Sequence, residues 1–264
     1  AVVYTSGFFT IYWCIFMFGY FGPLAPRGKS AMVPSKSGPS QRVAFANRCV
    51  CFCHATTDVI TCLYILFQYQ GKSDVSHRKF LPVAYDQMSD PDFHWVLPVL
   101  MGYCLADSVY MMCFERDWLM IVHHIAVVCG VAPLYLYPYG WMLCIVATFC
   151  AEITNPLQNT WQYTRDYGPK WVYQMLSLPF TLAFFLVRGI VMPIFLVDYN
   201  MFMFAEENPK IGPNNLLAIR VCVGIFTMGW FGSLVWLQGV VGGYIKYRRK
   251  VAAKAKEALA SKAQ

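Results

Sequence analysis

Seven apolar stretches, each long enough to cross a membrane as a helix, follow one another along this sequence. A helix needs about 20 apolar residues to span the hydrocarbon core of a bilayer, where the backbone hydrogen bonds must be made within the protein. The stretches comprise residues 2–21, 44–69, 95–114, 119–137, 139–157, 172–197 and 216–244. They predict an all-α fold, a polytopic membrane helix bundle with about seven transmembrane helices.

The composition favours the same environment. The chain is 58% hydrophobic and only 13% charged, whereas a soluble domain carries about 25% charged residues. The boundary between the fourth and fifth stretches is the least defined, because only Pro138 separates them. A single broken or re-entrant hairpin is the alternative there.

Lysine and arginine are distributed unevenly between the two sides of the predicted bundle. Seven spans place 15 of the 21 on one side and 4 on the other, while Arg188 and Arg220 lie within or at the edge of spans. Basic residues in short loops are retained on the cytoplasmic side. We therefore predict that the C-terminus faces the cytosol or an organelle matrix, in the endoplasmic reticulum or an organelle inner membrane such as the mitochondrial one.

The net charge of +7 comes almost entirely from the tail that begins at Lys246, which supplies +6. A basic helix next to a membrane span is typical of a segment that contacts anionic headgroups. A solvated tail that only fixes the topology is the alternative. Since the charge is confined to this tail, we predict no nucleic-acid partner. The predicted partners are membrane lipids and, within a larger membrane complex, other proteins.

Charged and titratable residues within the spans form a polar layer. Such groups are costly in hydrocarbon and usually face a bundle interior or a cavity. His54 and Asp58 are four residues apart and share one helical face, as do Glu152, Asn155 and Asn159 on another helix. The full set of ionisable residues is His54, Asp58, Asp107, His123, His124, Glu152 and Arg188, and Arg188 lies deeper than the layer. This layer predicts a cavity inside the bundle, near the basic side.

The adjacent His123 and His124 allow three interpretations. A metal centre of the membrane desaturase type needs many clustered histidines, whereas this chain has five, so we predict no metal site. Imidazoles that only fix helix packing, through Asp107 or Glu152, are the second interpretation. A general base or headgroup ligand is the third, because imidazole titrates near neutral pH. Adjacent side chains on a helix point about 100° apart, so at most one of the two histidines is expected to point into the cavity.

Five ordered motifs resemble those of the TLC domain family, over about residues 40–249. They are SQRVAFANRCVCFCHATTD, GYCLADSVYMM, MIVHHIAVV, EITNPLQNTWQY and FFLVRGIVMP. The best-known family members, the ceramide synthases, transfer an acyl group from acyl-CoA to a sphingoid amine. The resemblance implies His123 and His124 as catalytic residues, oriented by Asp107, with His54 nearby and acyl-CoA as co-substrate.

One difference from the ceramide synthases bears on the implied acyl transfer. The longer acidic signature that follows the histidines in ceramide synthases is missing, and EITNPLQN occupies its place. The sequence is therefore most similar to the TLC-domain-containing branch rather than to the ceramide synthases proper.

The predicted organisation has three parts: a transmembrane helix with a basic loop (1–39), a TLC domain (40–249) and a basic tail (250–264). The predicted function is binding, sensing or handling of a lipid in the cavity. Two alternatives stay open: an acyl-CoA-dependent N-acyltransferase of sphingolipid metabolism, and a structural subunit that holds a lipid within a membrane complex. No tightly bound cofactor is predicted. The residues expected to bind lipid or line the cavity are His54, Asp58, Glu152, Asn155, Asn159 and Arg188.

Overall fold

The computed structural model describes residues 2–35, 38–69, 91–93, 95–136, 140–205 and 213–262. Over these residues the chain forms a helix bundle with one short antiparallel hairpin. The elements in chain order are α1 (Val2–Phe21), α2 (Lys29–Met32), β1 (Pro34–Ser35), β2 (Gly38–Ser40), α3 (Gln41–Tyr69), a 3-10 turn (Pro91–Phe93), α4 (Val96–Tyr110), α5 (Trp118–Leu136), α6 (Trp141–Glu152), α7 (Asn155–Asp166), α8 (Lys170–Phe185), α9 (Met192–Ala205) and α10 (Pro213–Lys262). The predicted break at Pro138 and the basic residues Lys72, Arg78, Lys79 and Lys210 lie outside the described residues.

Five helical segments among the described residues are long and apolar enough to cross a membrane. They are Gln41–Tyr69, Val96–Glu115, Trp118–Leu136, Lys170–Met201 and Leu216–Ala253. The predicted helical membrane bundle is confirmed. Of the other two predicted spans, α1 begins and ends where the sequence predicts, and the region 139–157 is interrupted.

The interruption lies between α6, which ends at Glu152, and α7, which begins at Asn155. Pro156 stands in the first turn of α7, a position that tolerates proline because its missing N–H needs no partner there. The prediction of one continuous helix over 139–157 is therefore wrong. The kink brings Asn155 Nδ2 within 2.8 Å of Glu152 Oε2, and the amide donates to the carboxylate.

Two π-helical segments continue the longer helices. Met111–Glu115 extends α4, and Leu186–Val191 joins α8 to α9. A π segment changes the rotation of the helix locally and is frequent at functional sites. Here the two segments carry Glu115 and Arg188. A left-handed Arg116, with φ of 57°, ends the first of them.

Close approach of α1 to α4 fixes the N-terminal helix against the bundle. A Cβ added to Gly102 would lie 2.7 Å from the carbonyl oxygen of Thr5 and 3.1 Å from Phe8 Cβ. Tyr12 and Tyr110 are fully buried in the same region. Glycine is therefore required at position 102 for the two backbones to meet.

Gly102→Val is expected to destabilise the protein by about 1–3 kcal/mol, the usual effect of added volume in a packed interface. Thermal unfolding of the purified protein in detergent measures the change as a lower midpoint. Gly7→Val is the matched control, because a Cβ at Gly7 on α1 meets nothing within 4 Å. Equal midpoints for the two variants would contradict the assigned contact.

Candidate lipid-binding cavity

A cavity opens at the end of the bundle where α3 and α5 begin and α7 ends. It has a volume of about 420 Å³ and adjoins an outer depression of about 580 Å³. The residues that line both volumes are Arg48, Glu115, Asp117, Gln162 and Arg165. This mouth lies on the side that the sequence predicts to be basic, and it carries charges of both signs.

The cations at the mouth are paired with acids. Arg48 Nη2 lies 3.7 Å from Glu115 Oε1, and Arg48 Nη1 donates to Asn159 Oδ1 at 3.3 Å. Arg165 Nε donates to Asp166 Oδ1 at 2.7 Å, and this hydrogen bond raises the pKa of the Arg165 guanidinium. The mouth therefore presents a nearly neutral polar ring.

Deeper in the bundle, polar side chains are shared between the cavity and an adjoining inner chamber of about 120 Å³. These shared polar residues are Tyr103, His123, Glu152, Asn155, Arg188 and Ser233. The rest of the inner chamber is mainly apolar and includes Leu100, Val127, Ala147 and Phe226. From mouth to inner end, the lining thus changes from charged through polar to apolar.

The two histidines have different surroundings. His123 is half-buried, lines both the cavity and the inner chamber, and its ring lies 5.7 Å from that of Trp236. His124 is buried, with Nε2 at 3.7 Å from Asp107 Oδ2 and Nδ1 at 3.5 Å from Ser108 Oγ. His124 reaches only the inner chamber. His123 is therefore the imidazole with better access to a ligand from the mouth.

Asp107 is the centre of a buried network at the cavity wall. Its side chain is 1% exposed, and the Tyr12 hydroxyl donates to Asp107 Oδ1 at 2.8 Å. The same hydroxyl lies 2.6 Å from Asn47 Oδ1. With His124 on the other carboxylate oxygen, the network joins α1, α3, α4 and α5.

Asp107→Ala is expected to destabilise the protein by about 1.5–3 kcal/mol, the usual worth of a hydrogen bond to a charged acceptor, because the Tyr12 hydroxyl keeps only Asn47 Oδ1 as an acceptor. Thermal unfolding in detergent checks this expectation. Asp166→Ala is the control, since the Asp166 side chain is 44% exposed and such ion pairs contribute about 0–1 kcal/mol. A midpoint for Asp107→Ala as high as that of the control would refute the network's structural role.

His54 and Asp58 lie one layer behind the wall. The His54 ring stacks on Tyr103 at a centroid distance of 3.6 Å, and Tyr103 faces the cavity. His54 Nε2 lies 3.2 Å from Asp58 Oδ2, without the alignment of a hydrogen bond. Neither residue lines the cavity or the inner chamber, whereas Asn159 lines the cavity.

Arg188 extends from its π segment into the shared polar region. Its Nη2 donates to the Ala151 carbonyl oxygen at 2.5 Å, which links it to α6. The guanidinium lies 5.6 Å from the centre of the Phe184 ring. Although Arg188 belongs to a predicted span, its charged end thus reaches the cavity.

A comparison with protein-family models matches residues 44–240 to the TLC domain. The chain belongs to the TLC domain family. Membership in this family makes it an integral membrane protein, and the TLC domain is often connected with lipids. No curated protein matches the chain significantly. The assignment to one branch of the family stays a prediction.

Within the TLC domain, the structure adds residues that sequence reasoning missed. Tyr103 stands four residues before Asp107, so the shared helical face was a usable signal. Glu115 lies at the end of a π segment, and Trp236 lines the cavity from an apolar helix. No local sequence pattern marks either of them as a cavity residue.

Proposed function

We propose that this TLC domain binds one single-chain lipid, with its polar head beside His123, Glu152 and Arg188 and its chain in the inner chamber. The observation that carries the proposal is the order of the lining, from charged mouth through polar wall to apolar end. A lipid has the same order of chemistry along its length. The cavity volume of about 420 Å³ also falls within the usual range of about 300–1,000 Å³ for small-molecule sites.

The polar wall supplies groups of several kinds to a headgroup. Glu152 accepts a hydrogen bond from Asn155 on Oε2, while His123 adds an imidazole with one donor and one acceptor when neutral. A few convergent polar groups within a largely apolar site are typical of pockets that orient their ligand. This set therefore favours a ligand with a defined head over one that is held by its chain alone.

Photocrosslinking tests the proposal. A single-chain lipid that carries a diazirine at the chain terminus is incubated with the purified protein, irradiated, and the labelled peptides are sequenced. Val127 and Phe226 in the inner chamber should be labelled, and excess unlabelled lipid should remove the label. Labelling confined to outward residues such as Val122 and Phe231, which are 62% and 57% exposed, would contradict the proposal.

A second candidate function is acyl transfer from acyl-CoA to a long-chain amine, as in ceramide synthases. The position of His123 favours it, since this imidazole lies on the wall of a cavity that is open to the mouth. As the amine attacks the thioester carbonyl, His123 would take its proton and the CoA thiolate would leave. The third alternative, a structural subunit, stays a prediction.

An assay with labelled acyl-CoA and sphinganine tests this candidate on the purified protein. Formation of the labelled amide would support it. Absence of product from protein that still binds lipid would refute acyl transfer and leave the binding proposal intact.

A further inference from the structure

Arg188 is a buried cation whose hydrogen bonds leave part of its guanidinium without a partner. The residue is 8% exposed. Nη2 donates to the Ala151 carbonyl oxygen, and Nη1 lies 3.6 Å from Met192 Sδ, a weak acceptor. Nε has no hydrogen-bond partner among the described residues. Guanidinium has five N–H donors, so donors remain for a ligand.

Arg188 also lacks a direct ion pair. In the part of the chain that the structure describes, no carboxylate lies within ion-pair distance of it, whereas Arg48 and Arg165 both have acid partners. The Glu152 carboxylate lines the same cavity, and its Oε2 accepts a hydrogen bond from Asn155. An unpaired charge inside a membrane protein is costly and usually marks a ligand or ion site.

The surroundings decide which anion fits. Asp107 and Glu152 line the same cavity as Arg188, and these two acids disfavour a dianion such as a phosphate monoester. A single carboxylate matches one guanidinium and binds it through two parallel N–H donors. The inner chamber beside Arg188 is narrow, at about 120 Å³, which favours a ligand with one chain over a ligand with two.

We propose that the lipid is a free long-chain carboxylic acid, whose carboxylate pairs with Arg188 and whose chain extends toward Leu100, Val127 and Phe226. This inference rests on the proposed function, because it places the ligand in the same cavity. It goes further by naming the ligand's head and the residue that selects it.

Paired ligands test the inference. Binding of tritiated palmitic acid and of tritiated hexadecanol, which differ in the head, is measured on purified protein at pH 8. The wild type should bind the acid at least about tenfold more tightly, since a hydrogen bond to a charged group is worth more than that factor. Arg188→Gln should lose this preference while it keeps its affinity for the alcohol, and Arg188→Lys should retain part of it.

Arg220→Gln is the matched control, because Arg220 is an exposed arginine on α10 outside the cavity lining. It should keep the full preference for the acid.

Equal binding of acid and alcohol by the wild type, or an unchanged preference in a folded Arg188→Gln, would overturn the carboxylate assignment. Failure of both ligands to bind would instead overturn the proposed function. If Arg188→Gln does not fold, the Arg188→Lys variant is the test. A preference for the acid over the alcohol equal to that of the wild type would then contradict binding of the carboxylate by the Arg188 guanidinium.

Discussion

Replacing Gly229 with phenylalanine should lower the affinity for a single-chain lipid by at least about a hundredfold. Gly229 lies on α10 and lines the inner chamber, and a Cβ at this position meets nothing within 4 Å. A phenyl ring there would occupy the space assigned to the lipid chain. Burial of about 150 Å² of chain at about 25 cal/mol per Å² is worth about 4 kcal/mol, so its loss exceeds the stated factor. Equilibrium binding of a tritiated lipid to purified protein measures the change.

Gly224→Phe is the control for this substitution. Gly224 lies on the same helix, is exposed, and also has open space around its Cβ, but it does not line the cavity. The control should bind lipid with wild-type affinity. Equal affinities in the two variants would place the bound lipid elsewhere on the protein.

In the acyl-transfer candidate, His123→Ala should reduce the rate by about 10²–10⁴-fold, the usual contribution of a positioned general base. The expectation follows from the position of His123 on the wall of both the cavity and the inner chamber. The rate of labelled amide formation, normalised to folded protein, measures the effect.

His124→Ala provides the contrast. His124 is 4% exposed and lies against Asp107 and Ser108. The His124→Ala variant should therefore have a lower thermal midpoint than the His123→Ala variant. A His123→Ala protein with the wild-type rate would refute its role as the base. A greater loss of rate per folded molecule in His124→Ala would assign the base to the other histidine.

The long elements of the fold could be predicted from apolar length alone. The spans Val96–Glu115 and Trp118–Leu136 begin and end within one residue of the predicted ranges 95–114 and 119–137, because apolar stretches of this length are stable in a bilayer as helices. The interruption of the fifth predicted span between α6 and α7 could not be predicted. Pro156 lies within the predicted span 139–157, but whether a proline kinks a helix or starts a new one depends on the tertiary contacts around it.

The candidate site was only partly accessible to sequence reasoning. Ionisable residues in apolar stretches pointed to a polar layer because charge in hydrocarbon is rare and costly. Which of them reach the cavity depends on helix rotation and on neighbours: the Tyr103 ring separates His54 from the cavity. No residue pattern in LVRGIV predicts the π segment that carries Arg188.

The central claim, that the cavity holds one single-chain lipid, is tested most directly by native mass spectrometry of the protein released from mild detergent. We expect a mass increment equal to one single-chain lipid per protein chain, absent from Gly229→Phe and retained by Gly224→Phe. A wild-type protein with no bound lipid after single-chain lipid has been supplied, or with the same increment in Gly229→Phe, would contradict the account.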